Sequence, residues 1–119
     1  MNGIDFENLT ENKMRNNAYT IDCPTVVSKI THNDEYHSSE WLLSNTIAKK
    51  HNKILKFTLP GPMTICDSIA DIYYNDDKQL CTDLAQLLRR EVLHLKDIGC
   101  KNIQIDEPLF ARKPAQALD

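Results

Sequence analysis

The chain has 119 residues, the size of one ordinary domain, and its 41% hydrophobic and 26% charged residues are typical of a globular protein. The formal net charge is −3 and the basic residues are scattered, which excludes a basic stripe for DNA, RNA or an anionic membrane surface. The sequence has neither an apolar run of about 18 residues nor the start of a signal peptide, so we expect a cytosolic protein with a small-molecule partner.

The first half of the chain is predicted to contain two strands and one helix. Residues 1–20 are polar and show no sustained period, which predicts a loop with at most a short strand. The β-branched run Thr25–Ile30 predicts the first clear strand. Apolar residues at helical spacing predict a helix over Ser39–His51, capped by Ser38 or Ser39. The apolar segment Ile54–Leu59 predicts the second strand.

The second half is predicted to hold two helices and a third strand. Pro60-Gly61-Pro62 ends the second strand, and Pro62 begins a short helix that ends near Tyr73–Asp77. Leucines at helical spacing predict a long helix over Lys78–Ile98, which Gly99 terminates. The third strand follows at Asn102–Ile105, and we expect it to be buried.

The order of these elements predicts an α/β fold. The connections between the three strands are too long for hairpins, so we expect parallel strands covered by helices. Such a pattern is typical of a TIM (β/α)8 barrel or of an open parallel sheet. Three strands do not close a barrel, which needs eight βα units and about 250 residues, and residues 1–119 therefore predict a partial barrel domain that is incomplete at both ends.

The candidate site is predicted at the carboxyl ends of the second and third strands, where parallel α/β folds carry their functional loops. After the second strand, Gly61 would allow a ligand to approach the backbone closely, and the amides near Met63 and Thr64 would serve as donors. After the third strand, alternation places Asp106 and Glu107 on opposite sides of the chain. One carboxylate would hold a substrate ammonium, ligate a metal or act as a base, and its neighbour would brace the loop.

Other chemically capable residues are interpreted as structural. Glu91 falls within the apolar stripe of the long helix, which favours a buried ion pair. His32 follows the first strand on the expected functional face but has no visible partner, so it is not assigned a catalytic role. The four separated cysteines are expected to be reduced thiols, and Cys66 is interpreted as a small apolar residue. No cysteine or histidine spacing predicts a metal site made wholly within this chain.

Two motifs in order carry a family resemblance. The segments Leu59–Ile65 and Ile103–Pro108, separated by the long helix, resemble the catalytic domain of cobalamin-independent methionine synthase and its short single-barrel relatives. The resemblance runs from about Val26 to Arg112, and Asp5–Glu11 also looks like the family's segment before the first strand. It implies a TIM-barrel methyltransferase in which zinc activates the thiol of homocysteine toward the methyl group of 5-methyltetrahydrofolate.

The resemblance also implies a set of site residues and leaves several points open. It assigns Asp106 to the amino group of homocysteine and makes Glu107 a brace. Together with the turn, the predicted substrate-binding residues are Gly61, Pro62, Met63, Thr64, Asp106 and Glu107, with no catalytic residue and no zinc ligand assigned. The methyl donor, folate or corrinoid, stays open, because the tryptophan of folate-dependent members is missing after the turn.

Three alternatives accompany this interpretation. The chain could belong to another zinc-dependent thiol alkyltransferase or to a uroporphyrinogen-decarboxylase-like enzyme. It could also be a truncated, noncatalytic module that self-associates to cover its open strand edges. The fragment by itself is expected to be inactive.

Overall fold

The computed structural model of the chain describes residues 1–14, 18–32 and 36–112, and it has a mixed α/β fold. In chain order its elements are β1 (Asn2–Met14), β2 (Tyr19–Thr31), α1 (Ser38–Lys50), β3 (Phe57–Pro60), α2 (Pro62–Asp67), β4 (Ala70–Asp71), α3 (Asp77–Asp97), β5 (Ile103–Asp106) and α4 (Leu109–Arg112). No helix in these ranges is long and apolar enough to cross a membrane.

The amino-terminal segment forms a long antiparallel hairpin of β1 and β2, so the prediction of a loop over residues 1–20 was wrong. The pairing runs from Asn2 opposite Thr31 to Met14 opposite Tyr19, with two irregularities in register. One of them lies between Asp5 and Thr10, where the carboxylate of Asp5 accepts the amides of Glu7 and Asn8. These interruptions break the two-residue alternation that would have identified a strand.

The second and third predicted strands pair in parallel, as expected. Strand β3 lies beside β5 with Phe57 opposite Ile103 and Pro60 opposite Asp106. The first predicted strand does not join them: within the described residues β2 pairs only with β1 and, in parallel over two residues, with β4. The expectation of one sheet of three parallel strands was therefore wrong, and the partial barrel stays a prediction.

The long helix α3 is confirmed within one residue at each end. Asp76 caps it by accepting the amides of Lys78 and Gln79. At its other end Gly99 has a φ of +110°, a conformation that glycine adopts without strain. There the amide of Cys100 donates to the carbonyl of Leu95, which satisfies a terminal carbonyl of the helix.

The core consists of two apolar clusters that α3 joins along its length. The first half of α3 packs against β2, and the second half packs against α1 and the start of β3. The buried residues of the first cluster are Val26, Ile30, Leu80, Leu84 and Leu87, and those of the second are Trp41, Phe57, Leu59, Leu88, Leu95 and Cys100.

Three further expectations are corrected. Strand β5 is not buried, since Gln104 is exposed and Ile105 is 42% exposed. The short helix α2 ends at Asp67 instead of near Tyr73–Asp77. The carboxylate of Asp71 forms a turn after it by accepting three backbone amides. Helix α1 has no side-chain cap from Ser38 or Ser39.

Candidate functional site

The turn after β3 and the end of β5 form one unit. The amide of Gly61 donates to the carbonyl of Asp106 at 2.7 Å, which extends the parallel pairing by one bond beyond Pro60. Pro62 then begins α2 at the position where a helix tolerates proline, because its missing N–H would have had no partner. The two predicted loops therefore meet at the carboxyl ends of neighbouring strands.

Both carboxylate oxygens of Glu107 accept hydrogen bonds from the first turn of α2. Its Oε1 accepts the amide of Met63 at 2.9 Å, and its Oε2 accepts the amide of Thr64 at 2.9 Å and the hydroxyl of Thr64 at 2.6 Å. A carboxylate at this position satisfies helix donors that lack an intrahelical partner. The two amides that we expected to be available to a ligand are thus already bound by Glu107.

Gly61 is required by the path of the Glu107 side chain. Gly61 is buried, with a φ of −79° that any residue adopts, so backbone freedom does not explain the glycine. A Cβ built at this position would collide with the carboxyl group and the γ-carbon of Glu107. The close approach that the glycine was predicted to permit is therefore made by Glu107 itself.

Asp106 is held differently from Glu107. Its side chain is half-buried, and its Oδ1 accepts a hydrogen bond from Nε2 of Gln104 at 2.6 Å. Residues two apart in a strand point to the same side, so β5 itself aligns this amide with the carboxylate. Because Gln104 is neutral, the negative charge of Asp106 is not paired by this contact. The sequence did not lead us to name Gln104 as a site residue, although the two-residue alternation of β5 predicts that Gln104 and Asp106 lie on the same side.

A second polar cluster lies at the other end of β3. The fully buried carboxylate of Glu91 accepts hydrogen bonds from His32 Nε2 at 2.7 Å, from His37 Nδ1 at 3.2 Å and from the amide of Tyr36 at 3.1 Å. The ring of His37 packs edge-on at 6.0 Å from that of Phe57, the first residue of β3. We call the three side chains of Glu91, His32 and His37 the histidine–glutamate cluster.

The cluster confirms one expectation and corrects another. Glu91 is a buried, paired carboxylate, as the stripe of α3 predicted. Burial acts to raise its pKa, but the hydrogen bonds from His32, Tyr36 and His37 outweigh it and leave the pKa below its usual value. His32 has a partner after all, since its Nε2 contacts the carboxylate of Glu91 at 2.7 Å.

The implied zinc does not fit the residues that the structure describes. Within residues 1–14, 18–32 and 36–112, no group of three or more His, Cys, Asp or Glu side chains could hold a metal ion. In the histidine–glutamate cluster, the carboxylate of Glu91 already accepts hydrogen bonds from both histidines. At the start of α2, Glu107 supplies a single carboxylate. We therefore derive no step of chemistry from zinc on this chain.

Comparison with known proteins identifies the family. Residues 6–116 match the model of the cobalamin-independent synthase catalytic domain. The chain belongs to this family. The match covers more of the chain than the Val26–Arg112 resemblance seen in the motifs, because it includes most of the β1–β2 hairpin.

Curated members of the cobalamin-independent synthase family agree with this result. A methionine synthase of Saccharolobus solfataricus is 38% identical over 91 residues, which is 76% of this chain and 27% of that protein. One of Sulfurisphaera tokodaii is 36% identical over 85 residues, which is 71% of this chain and 25% of that protein. The chain thus spans about a quarter of the length of these relatives.

A solved structure of the family shares the fold. It is a B12-independent methionine synthase from Shewanella sp. W3-18-1 in complex with selenomethionine, with a TM-score of 0.85 and 30% identity. The similarity covers 99% of this chain and 33% of that chain. The fold described above is therefore the fold of one part of a longer family member.

Proposed function

We propose that this chain forms part of the catalytic domain of a methyltransferase that transfers a methyl group to the thiol of homocysteine, with 5-methyltetrahydrofolate or a related compound as donor. Membership of the cobalamin-independent synthase family supports this reaction type. The observation that carries the proposal for this chain is the pairing of Pro60 with Asp106, which joins the two motifs at the carboxyl ends of β3 and β5.

Asp106 is the proposed anchor for the ammonium group of homocysteine. Its half-buried carboxylate is oriented by the neutral amide of Gln104 and keeps its negative charge for a cation. A charge-assisted hydrogen bond from an ammonium is about twice as strong as a neutral one, and partial burial strengthens it further.

The other predicted site residues have a supporting role in this proposal. Glu107 holds Met63 and Thr64 in place, and Gly61 leaves room for that contact. Pro62 begins the short helix. These residues fix the shape of the site wall, so the substrate meets a preformed surface beside Asp106.

The proposed domain is a TIM barrel of which this chain supplies the β3–β5 pair and its helices. Further βα units would complete both the barrel and the site. We therefore expect the 119-residue chain by itself to form no methionine from homocysteine and methylfolate.

A chimera tests the proposal. The 91-residue segment of this chain that aligns with the Saccharolobus solfataricus methionine synthase replaces its counterpart in that protein, and methionine formation is measured. We expect turnover, and we expect Asp106→Asn to lower kcat/KM for homocysteine by about 5- to 150-fold, equivalent to about 1 to 3 kcal/mol. The matched control is Asp97→Asn, which removes the same charge from an exposed position at the end of α3 and should change kcat/KM less than twofold.

A second thiol separates ammonium binding from other effects. The compound 4-mercaptobutanoate has the carboxylate and thiol of homocysteine but no amino group. Asp106→Asn should leave its kcat/KM unchanged, because the lost charge has no ammonium to bind. An equal loss for both thiols would contradict the assignment of Asp106, and a folded chimera without turnover would contradict the proposed function itself.

Self-association of the isolated chain is a second proposal, supported by its exposed apolar surface. Leu43, Ile47 and Ile54 are between 53% and 88% exposed. Within the described residues β3 and β5 also pair only with each other, which leaves one edge of each strand unpaired. Light scattering should give a mass above that of one chain at micromolar concentration. A monodisperse monomer with cooperative unfolding would refute self-association.

A further inference from the structure

Three lysines line a groove near the amino ends of β3 and β5. The groove is bordered by α1, by the segment between α1 and β3, and by the loop between α3 and β5, and its volume is about 430 Å³. Small-molecule sites commonly have volumes of about 300 to 1,000 Å³. Lys49, Lys53 and Lys101 are far apart in the sequence, and the fold brings them to this one place. We call it the lysine groove.

The lysine groove has an excess of positive charge. Within the described residues no carboxylate lines it, and none of the three lysines forms an ion pair. The last turn of α1 and the C-cap of α3 also border the groove, and the carboxyl-terminal end of a helix carries about half a negative charge. Three ammonium groups exceed two such helix ends by about two charges. Neutralising the helix ends therefore does not account for all three lysines.

The rest of the lining is mostly apolar and partly open to water. Leu42 is 50% exposed and Ile54 is 88% exposed, while Leu55 and Ile98 are partly buried. Trp41 borders the same groove and is 4% exposed. An apolar group that covers Leu42 and Ile54 would remove their surfaces from water, which is favourable. The groove thus combines an apolar wall with cations that have no counter-charge among its lining residues.

We propose that the lysine groove binds a small phosphate monoester with an apolar organic group. A phosphate monoester carries a charge of about −1.5 to −2 at pH 7, which matches the excess of about two positive charges. The ammonium groups of lysines bind phosphate as point charges, so flexible side chains from three segments can meet one phosphate. The apolar group would lie against Leu42 and Ile54.

This site is separate from the proposed methyl transfer and does not depend on it. Asn102, which lines the lysine groove, directly precedes β5, whereas Asp106 is the last residue of that strand. The groove and the proposed ammonium anchor therefore lie at opposite ends of β5. Since the lining residues belong to this chain, binding is measured on the 119-residue chain itself.

Fluorescence of Trp41 tests the proposal, because this residue is the single tryptophan of the chain and borders the groove. The edge of its ring reaches the loop before Lys101, where a Cβ added to Gly99 would lie 3.5 Å from Cη2 of Trp41. The probe is hexyl phosphate, titrated near neutral pH. We expect a saturable change in emission, with hexanol and inorganic phosphate each binding at least about tenfold more weakly. Raising the ionic strength from about 0.01 to 0.15 M should weaken hexyl phosphate binding, because the charges are exposed.

Matched variants identify the contribution of each part of the groove. Lys53→Gln and Lys101→Gln should each weaken hexyl phosphate binding by about threefold to tenfold. The control is Lys29→Gln, which removes the same charge from an exposed position of β2 outside the groove and should leave the affinity unchanged. Ile54→Ser should weaken the binding of hexyl phosphate but not that of inorganic phosphate.

Four results would overturn the proposal. The first is the absence of a saturable change with hexyl phosphate, and the second is equal binding of hexanol, which would leave no role for the lysines. Equal binding of inorganic phosphate would leave no role for the apolar wall. A loss with Lys29→Gln as large as with Lys53→Gln would show attraction to the chain as a whole. The comparison of the three ligands on the wild-type chain decides the matter even if a variant fails to fold.

Discussion

Replacing Glu91 tests how far the histidine–glutamate cluster stabilises the fold. The Glu91 carboxylate accepts from three donors, two imidazole nitrogens and the Tyr36 amide, at 2.7 to 3.2 Å, and it is fully buried. Glu91→Leu removes the acceptor but keeps the three donors, which leaves two imidazole nitrogens and the Tyr36 amide without this partner. We expect a loss of about 3 to 5 kcal/mol of unfolding free energy, because each donor that is left unsatisfied costs about 1 to 3 kcal/mol. Glu91→Gln keeps one oxygen and the shape, so its loss should be smaller, about 1 to 3 kcal/mol.

Urea denaturation followed by circular dichroism measures both losses. Glu11→Gln is the control, because Glu11 is an exposed glutamate of β1 and its replacement should change the free energy of unfolding by about 0.5 kcal/mol or less. The reasoning is refuted if Glu91→Leu is as stable as the wild type, since an apolar side chain would then be equally acceptable at the buried position. A loss equal to that of Glu91→Gln would show that the charge, and not the acceptor, accounts for the effect.

Three further predictions concern stability. The pKa of Glu91 is lowered in the folded chain, so its contribution to the free energy of unfolding is fully present above the unfolded pKa near 4.5 and is lost as pH falls through the folded pKa. When the free energy of unfolding is measured by urea denaturation at decreasing pH, Glu91→Gln should lose less of it than the wild type does. Gly61→Ala should cost about 1 to 3 kcal/mol in urea denaturation because its Cβ displaces Glu107, and in a Glu107→Ala background the same change should cost much less. Tyr74→Phe should cost about 1 to 3 kcal/mol by calorimetry, since it removes the hydroxyl that donates to Asp83 at 2.6 Å; an unchanged melting temperature would contradict this.

Helix α3 was predictable because its information is local. An apolar stripe and a terminal glycine at Gly99 predicted its boundaries, and each acts within a few residues; the structure adds a cap at Asp76 that was not predicted. The parallel pairing of β3 and β5 was predictable from the length of their connection, because the long helix between the two strands makes a hairpin impossible.

The β1–β2 hairpin was not predictable, because its evidence is nonlocal. Strand β1 is mostly exposed, and a strand with little burial shows no apolar alternation. Its pairing depends on partners up to 29 residues away, as between Asn2 and Thr31, and on irregularities in register that single-sequence patterns do not encode. The missed hairpin led to a second wrong prediction. Without β1 as its partner, β2 was assigned to the parallel sheet.

The candidate site was partly predictable for a similar reason. Asp106 and Glu107 were recognisable as an acidic pair at the end of a strand, and alternation separated their directions. The donors that each carboxylate contacts were not predictable, because they come from distant parts of the sequence. Met63 and Thr64, which donate to Glu107, lie 44 and 43 residues before it. The partner of His32, 59 residues away at Glu91, was beyond reach in the same way.

The contrast among three carboxylates is what makes Asp106 the residue to test. Glu91 and Glu107 each accept three or more hydrogen bonds from described residues, backbone amides among them, and such contacts fix local structure. For Asp106, within the described residues, the side-chain contact is the single neutral amide of Gln104, and the group remains half-exposed. A charged group that the fold orients but does not neutralise is suited to bind a cation, and the ammonium of an aminothiol is the cation that the proposed reaction brings to this end of β5.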